Sequence, residues 1–252
     1  FESVRLRAEV YLDRKLVAYD IIGESPFDAD ITEAVQPGKE QCLAVRVTNP
    51  GGNFHWQDFN EMYWGKYQIP PGRSFGGIIG RVRLDAVSPV YVSDIYMQNQ
   101  PERTKVKAIL TVNNTSAKTE KQDIYFSVYE KENPGKVILE KKLPRVALKQ
   151  GTNVVTMELH CPEARIWDLD TPYLYVCGVD VKSGKKLSDR AVQTFGFRWF
   201  EPVGIGKDAM LRLNGRRVML RTAISWGYWP ATGLYATPEM AEKQVSVAKS
   251  MG

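Results

Sequence analysis

Arg165-Ile-Trp-Asp-Leu-Asp-Thr-Pro-Tyr-Leu-Tyr175, then Thr194-Phe-Gly-Phe-Arg198, then Leu211-Arg-Leu-Asn-Gly-Arg-Arg-Val-Met-Leu-Arg221 form the passage on which the reading of this chain turns. Val176 to Val181 has the β-branched alternation of a half-buried strand. Lys182-Ser-Gly-Lys185 supplies a turn, and Ala191 to Phe200 returns as an aromatic-rich strand. Such a hairpin closes a β-sandwich. Leu211-Arg-Leu213 is followed at once by Asn214-Gly215, the strongest short-range signal for a two-residue hairpin, and then by Val218-Met-Leu220. The second arm is expected to leave the sandwich.

The order of these elements, a Trp-Asp and Thr-Pro-x-Leu-Tyr run, then Phe-Gly-Phe-Arg, then Leu-Asn-Gly-x-x-Val-x-Leu-Arg, resembles glycoside hydrolase family 2, the β-galactosidase, β-glucuronidase and β-mannosidase group. In that family the passage leads from an immunoglobulin-like domain into a catalytic (β/α)8 barrel. The resemblance continues towards the N-terminus. Pro26-Phe-Asp-Ala-Asp-Ile-Thr32 and Leu43-Ala-Val-Arg-Val-Thr-Asn-Pro50 are similar to the sugar-binding jelly roll at the front of these enzymes, and Gly77-Ile-Ile-Gly-Arg-Val-Arg-Leu84 to the strand that closes it. A jelly roll has about eight strands, and about five can be counted before Pro89. The resemblance therefore implies that opening strands precede Phe1.

The residues themselves support an all-β reading. Val4, Leu6, Ala8 and Val10 alternate with Arg5, Arg7 and Glu9, a period of two with one buried face. Asp13-Arg-Lys15 turns the chain into Leu16 to Tyr19, and further short strands are expected at Pro26 to Ile31, Gln41 to Val47 and Arg81 to Leu84. From Val92 a second set begins with Asp94 to Met97, Val106 to Val112, Ile124 to Tyr129, Val137 to Leu139 and Asn153 to Leu159. With the first hairpin of the deciding passage these make about seven strands, enough for an immunoglobulin-like sandwich. Beyond Leu220, Thr237 and Pro238 read as the N-cap and first position of a helix running to Ser250, with Gly252 at its C-terminal cap.

Composition excludes several functions. Hydrophobic residues make up 43% and charged residues 25%, as in a globular protein, and no apolar run is long enough to span a bilayer. The net charge of +5 is spread over alternate strand positions such as Arg81 and Arg83 or Lys105 and Lys107, which reads as a solvated sheet face rather than a nucleic-acid surface. Gly76-Gly-Ile-Ile-Gly80 runs into a strand, whereas a phosphate loop must open a helix. His55 with Asp58 or Glu61 is too sparse a set for a metal. No metal and no cofactor is expected.

Cys42, Cys161 and Cys177 read as small core residues, with a Cys161–Cys177 disulfide left open. Asn113-Asn-Thr115 and Asn114-Thr-Ser116 match the glycosylation pattern, but a polar turn is the favoured reading. Phe1-Glu-Ser-Val-Arg-Leu-Arg7 lacks the features of a signal peptide, so the compartment is unknown; a periplasmic or extracellular one is favoured.

The fold expected is thus all-β: a truncated jelly-roll sugar-binding domain over residues 1–91, an immunoglobulin-like β-sandwich over 92–200, and over 201–252 one strand and helix of an incomplete (β/α)8 barrel. The resemblance implies a retaining glycoside hydrolase, whose two carboxylates stand about 5 to 5.5 Å apart at barrel strand ends. The pairs Asp28 and Asp30, and Asp168 and Asp170, fall in sandwich turns and are expected to be structural. No catalytic residue is assigned in this chain.

Candidate substrate-binding residues are Ser225, Trp226, Tyr228 and Trp229, after the first barrel strand, expected over Val218 to Ile224. The family pattern at this strand end is Arg-Gly-x-Asn-x-His. The sequence keeps Arg221 but has Thr222, Ile224 and Trp226 at the other three positions, so aromatic faces replace the family's polar contacts. Packing of the barrel mouth is the plainer alternative. The aromatic patch Phe54 to Trp64 could stack on sugars, but plugging the sandwich end is the favoured reading. The partner expected is a carbohydrate, with neither nucleic acid nor membrane; a homo-oligomer stays open. The competing reading is a non-catalytic carbohydrate-binding or structural β-sandwich protein.

Overall fold

The computed structural model describes all residues except 6, 24, 49–62, 65–66, 69–76, 223–236 and 252, and gives only the backbone of Tyr63–Trp64 and Tyr67–Gln68. The chain resolves into two compact units, Phe1–Leu84 with Ala223–Gly252, and Asp85–Thr222.

In the first unit β1 (Val4–Arg5) pairs antiparallel with β7 (Gly77–Ile78). β2 (Arg7–Leu12) lies between β3 (Lys15–Asp20) and β4 (Leu43–Thr48), and β5 (Tyr63–Trp64) pairs with β6 (Tyr67–Gln68). Val4, Ala8, Val10 and Leu12 are buried, but the expected alternation breaks at Glu9, which is only 8% exposed and accepts from Arg7, Tyr11 and Arg46. The β2–β3 hairpin turns on Asp13 and Arg14, both at positive φ (46° and 70°). The Asp13 carboxylate compensates by accepting the Cys42 N–H at 2.8 Å and the Gln41 amide at 2.7 Å, which ties the turn to the start of β4.

Two expected strands of this unit are absent. Pro26 to Ile31 joins no ladder: the Phe27 N–H donates to the Phe1 carbonyl, and the two rings stack 5.0 Å apart. Arg81 to Leu84 also lies outside the sheets. The Arg81 carbonyl accepts the Glu2 N–H, while the Arg81 guanidinium and N–H both go to the Glu2 carboxylate, so side-chain bonds replace a ladder. The helix α1 (Pro238–Ser250) forms as expected, its first turn capped by the Thr237 hydroxyl, which accepts the Met240 N–H at 3.3 Å.

The second unit holds a seven-stranded sandwich. One sheet has the order β12 (Gly151–His160), β9 (Lys105–Asn114), β8 (Val90–Asn99). The other runs β11 (Asn133–Leu148), β10 (Glu120–Glu130), β13 (Tyr175–Ser183), β14 (Lys186–Phe195). All pairings are antiparallel. Val106, Ala108, Leu110 and Val112 of β9 meet Ile124, Phe126 and Val128 of β10 and Cys177, Val179 and Val181 of β13 in one core. Burying such alternating faces is the main stabilising term, about 1.5–3 kcal/mol for each large side chain. The Asn114 side chain, at the end of β9, is fully buried and donates to the Lys118 and Leu148 carbonyls at 2.8 and 2.9 Å, so it closes the polar turn that follows the strand.

A third sheet completes this unit, with β16 (Met210–Leu213) between β15 (Phe200–Val203) and β17 (Arg216–Val218). The Asn-Gly hairpin is as read, with Asn214 and Gly215 at φ 51° and 82°. The strand expected over Val218 to Ile224 is corrected in its described part: pairing ends at Val218 and is antiparallel, whereas barrel strands are parallel. The aromatic return strand also breaks, at Gly196, between β14 and β15.

All three cysteines are free, Cys161 and Cys177 within the sandwich core and Cys42 exposed. Burial pushes the Cys161 thiol up to about 11 and the Cys177 thiol up to about 12, so neither forms a thiolate near neutrality. An aromatic disulfide reagent at pH 8 is therefore expected to titrate one thiol in the native chain, Cys42, and three after denaturation. Rapid native reaction of two or more would contradict the burial.

Candidate functional site

The deciding passage folds into a single junction at one end of the sandwich. A short parallel bridge joins Ile166 to Phe197, and the Trp167 N–H donates to the Phe197 carbonyl at 2.9 Å. Trp167 lies so close over Gly196 that a Cβ there would meet its side chain, indole and Cβ, at 2.9 to 3.1 Å, which explains the glycine of Phe-Gly-Phe-Arg. The Arg198 guanidinium covers the Trp167 ring, 4.7 Å from its centre. Phe197, fully buried, meets Phe195 and Tyr175 edge-on at 5.0 and 5.3 Å.

Asn214 locks the hairpin onto this junction. It is only 8% exposed; its side-chain oxygen accepts the Trp199 N–H and its amide donates to the Trp167 carbonyl, both at 2.8 Å. Its own carbonyl accepts from Arg103 at 3.0 Å. Asn99 adds a second tie, donating to the Gly196 carbonyl at 3.0 Å and accepting the Arg198 N–H at 3.3 Å. The sequence reading had Asn214 only as a turn residue and passed over Asn99 and Arg103. The Asn-Gly signal explains a hairpin but says nothing of distant partners.

Beside the junction, the Tyr175 hydroxyl accepts the Arg165 N–H at 2.8 Å, the tyrosine corner of immunoglobulin-like folds. Glu130, 6% exposed, accepts from Lys136 at 2.6 Å. Hydrogen bonds from Lys136 and then Tyr173 hold its carboxyl below the usual range, and the same carboxylate raises Lys136 and Tyr173. The group is a charged brace.

Of the carboxylates weighed for catalysis, Asp30 accepts the Thr32 N–H at 2.9 Å. Asp168 accepts the Leu169 N–H at 2.7 Å and pairs with Arg216 at 3.5 Å. Both serve turns. Ser225, Trp226, Tyr228 and Trp229 lie outside the described residues, as do His55, Asp58 and Glu61 and the aromatic patch apart from the backbone of Tyr63–Trp64. Among the described residues no group of His, Cys, Asp and Glu could hold a metal ion, and no helix is long and apolar enough to cross a membrane.

Comparison with known proteins agrees with this geometry. Residues 90–198, the sandwich and its Phe-Gly-Phe-Arg junction, match the family model for glycosyl hydrolases family 2. A beta-glucuronidase of Formosa agariphila is 26% identical over 91% of this chain and 24% of its own length. A beta-galactosidase of Thermoanaerobacterium thermosulfurigenes is 27% identical over 99% of the chain and 33% of its own. The solved Bacteroides uniformis beta-glucuronidase superposes on the whole chain with a TM-score of 0.72 at 22% identity, over 30% of its length, which shows the shared fold. Residues 90–198 thus carry the pattern of glycosyl hydrolases family 2, and the chain spans about a quarter to a third of the length of these relatives.

Proposed function

We propose that this chain serves as the non-catalytic front portion of a retaining glycoside hydrolase that acts on β-linked sugars, with β-galactosides and β-glucuronides as the candidate substrates. The observation that carries the reading is the family match over residues 90–198 together with the junction that the family's motifs build there. Residues 1–91 would act as a jelly-roll sugar-binding domain, 92–200 as the immunoglobulin-like sandwich and 201–252 as the entry to a (β/α)8 barrel.

In this reading the carboxylate pair belongs to barrel strand ends, one as nucleophile and one as acid/base. The sandwich holds the barrel entry in place, and the Asn214 lock fixes where the chain departs. Trp226 and Trp229 would offer flat faces to a pyranose ring, and Ser225 and Tyr228 hydroxyls to its oxygens.

The chain alone is expected not to hydrolyse aryl β-galactosides or β-glucuronides. Turnover that co-purifies with it and is lost on replacing one of its carboxylates would overturn the assignment. In an enzyme that joins this sequence to a barrel, Trp226→Ala and Trp229→Ala should each lower kcat/KM by about tenfold or more with Tm unchanged. Unaltered kinetics in both variants would return the two tryptophans to a packing role.

A further inference from the structure

The outer face of the sheet β11-β10-β13-β14 carries a groove of about 530 Å³, lined by side chains of all four strands. Two adjacent rows of the ladder build it. One row aligns Lys142, Tyr125, Asp180 and Arg190; the next aligns Glu140, Ser127, Gly178 and Val192. Side chains two apart on a strand share a face, so both rows point away from the core, to which Phe126 between them belongs.

Gly178 makes the face concave. A Cβ there would sit 2.8 Å from the Ser127 hydroxyl and 3.6 Å from an edge carbon of Tyr129, so the Tyr129 ring borders the one position of the Ser127 row that lacks a side chain. A ring beside a glycine on the next strand can be mere cross-strand packing. Packing of that kind does not account for the polar wall opposite.

That wall is ordered by its own charges. Arg190 grips Asp180 with two hydrogen bonds of 2.6 and 2.9 Å, and Lys182 joins the same carboxylate at 3.2 Å. Lys142 pairs with Asp123 at 2.6 Å. The Lys142 and Lys182 ammoniums also lie 4.9 and 4.8 Å from the centre of the Tyr125 ring. The Arg190 hydrogen bonds hold Asp180 below the usual carboxylate range, so it is an anion and an acceptor at neutral pH.

The chemistry selects among ligands. A polyanion needs cations that lack protein partners, because its affinity comes from neutralising phosphates or sulfates. Here Lys142, Lys182 and Arg190 each already hold a carboxylate. A peptide that adds as a strand needs an open sheet edge, but the floor of the groove is β10 and β13, both central and paired on either side. An uncharged saccharide needs neither. Its hydroxyls donate to carboxylates and accept from ammonium, guanidinium and hydroxyl groups that are only partly used by their ion pairs. Its C–H faces suit an aromatic ring.

We infer that this groove is a carbohydrate site, one that takes an uncharged β-linked oligosaccharide across Ser127 and Gly178, against Tyr129, with Asp180, Arg190 and Glu140 as hydroxyl partners. The choice of a sugar rests on the glycosidase reading above. A polymeric substrate bound in this groove would be held near the enzyme, raising its effective concentration.

The test is an amide NMR titration of the 252-residue chain with β-1,4-linked galactotetraose, cellotetraose and a glucuronate-containing tetrasaccharide. At least one uncharged oligosaccharide should shift the Ser127, Tyr129 and Gly178 amides together. Tyr129→Ala should weaken that binding by about tenfold. Glu140→Ala, a change at an exposed rim residue that leaves the fold untouched, should weaken it by a smaller factor. No localised shift with either uncharged probe, shifts unaffected by both variants, or a response confined to the acidic sugar and abolished by salt would each overturn the inference. An enzyme containing this chain that failed to cleave β-glycosides would sink the proposed function yet leave this titration unchanged.

Discussion

Replacing Asn214 with alanine is expected to cost about 3–5 kcal/mol of stability in the sandwich unit, read as a lowered urea midpoint with an unchanged slope. The substitution removes two hydrogen bonds of 2.8 Å and leaves the Trp199 N–H and the Trp167 carbonyl unpaired in a site where Asn214 is only 8% exposed. Stranding a partner in such surroundings costs about 1–3 kcal/mol each. Alanine must also adopt the positive φ of 51°, a conformation that costs about 1–2 kcal/mol in a residue without a short polar side chain. Asn214→Gly separates the two effects, because glycine accepts the backbone conformation but makes no side-chain bond. It should therefore be destabilised less than Asn214→Ala by about 1 kcal/mol. Equal stability of all three proteins would show that the hairpin is not locked through this side chain.

The same residue shows where the sequence is informative and where it is not. Asn214-Gly215 declares a turn because both positions require positive φ, a local requirement that a dipeptide expresses by itself. The lock needs partners far along the chain, Trp167 and Arg103 being 47 and 111 positions away, and local periodicity carries no trace of such pairings. β9 is the opposite case. Val106, Ala108, Leu110 and Val112 alternate with half-buried residues through the whole strand, and so its inward face could be read in advance.

β11 was legible only at Val137 to Leu139, although the strand runs from Asn133 to Leu148. Pro134 and Pro144 argue against a strand in a sheet interior, but β11 is an edge strand, where a missing N–H can face away from the ladder. Its register shifts against β10 further blur the period of two. Pro26 to Ile31 failed for a related reason: its apolar residues suggested a strand, yet Phe27 is held by the Phe1 backbone and ring instead of by a ladder. The family resemblance reached residues that periodicity could not rank, since Trp167, Gly196 and Arg198 matter through one stacked arrangement. The aromatic residues put forward for substrate binding lie outside the described residues, so their roles stand on position in the family pattern.

The second large effect is expected at Phe197, where substitution by alanine should cost about 3–5 kcal/mol, the range for deleting a buried phenylalanine. Phe197 is fully buried, and its ring meets Phe195 at 5.0 Å and Tyr175 at 5.3 Å, with interplanar angles of 67° and 76°. Edge-to-face pairs contribute about 0.5–1.5 kcal/mol each beyond area burial, so loss of the ring removes transfer energy and two oriented contacts while opening a cavity. The neighbours can close it only in part. Tyr175 is tied through its hydroxyl to the Arg165 N–H, and the Phe197 backbone is tied to Trp167. Phe197→Leu keeps most of the apolar volume and should cost less than the alanine change, with the difference reporting the aromatic contacts and the residual void. Because Trp167 is bound by both the Phe197 carbonyl and the Asn214 amide, the two sites share a partner. Thermodynamic coupling between Phe197→Ala and Asn214→Ala should exceed about 0.5 kcal/mol, the level that separates interacting from independent sites. Strict additivity of the two changes in urea unfolding would mean that the sandwich end and the hairpin are held separately, and the single junction described for Trp167 would have to be abandoned.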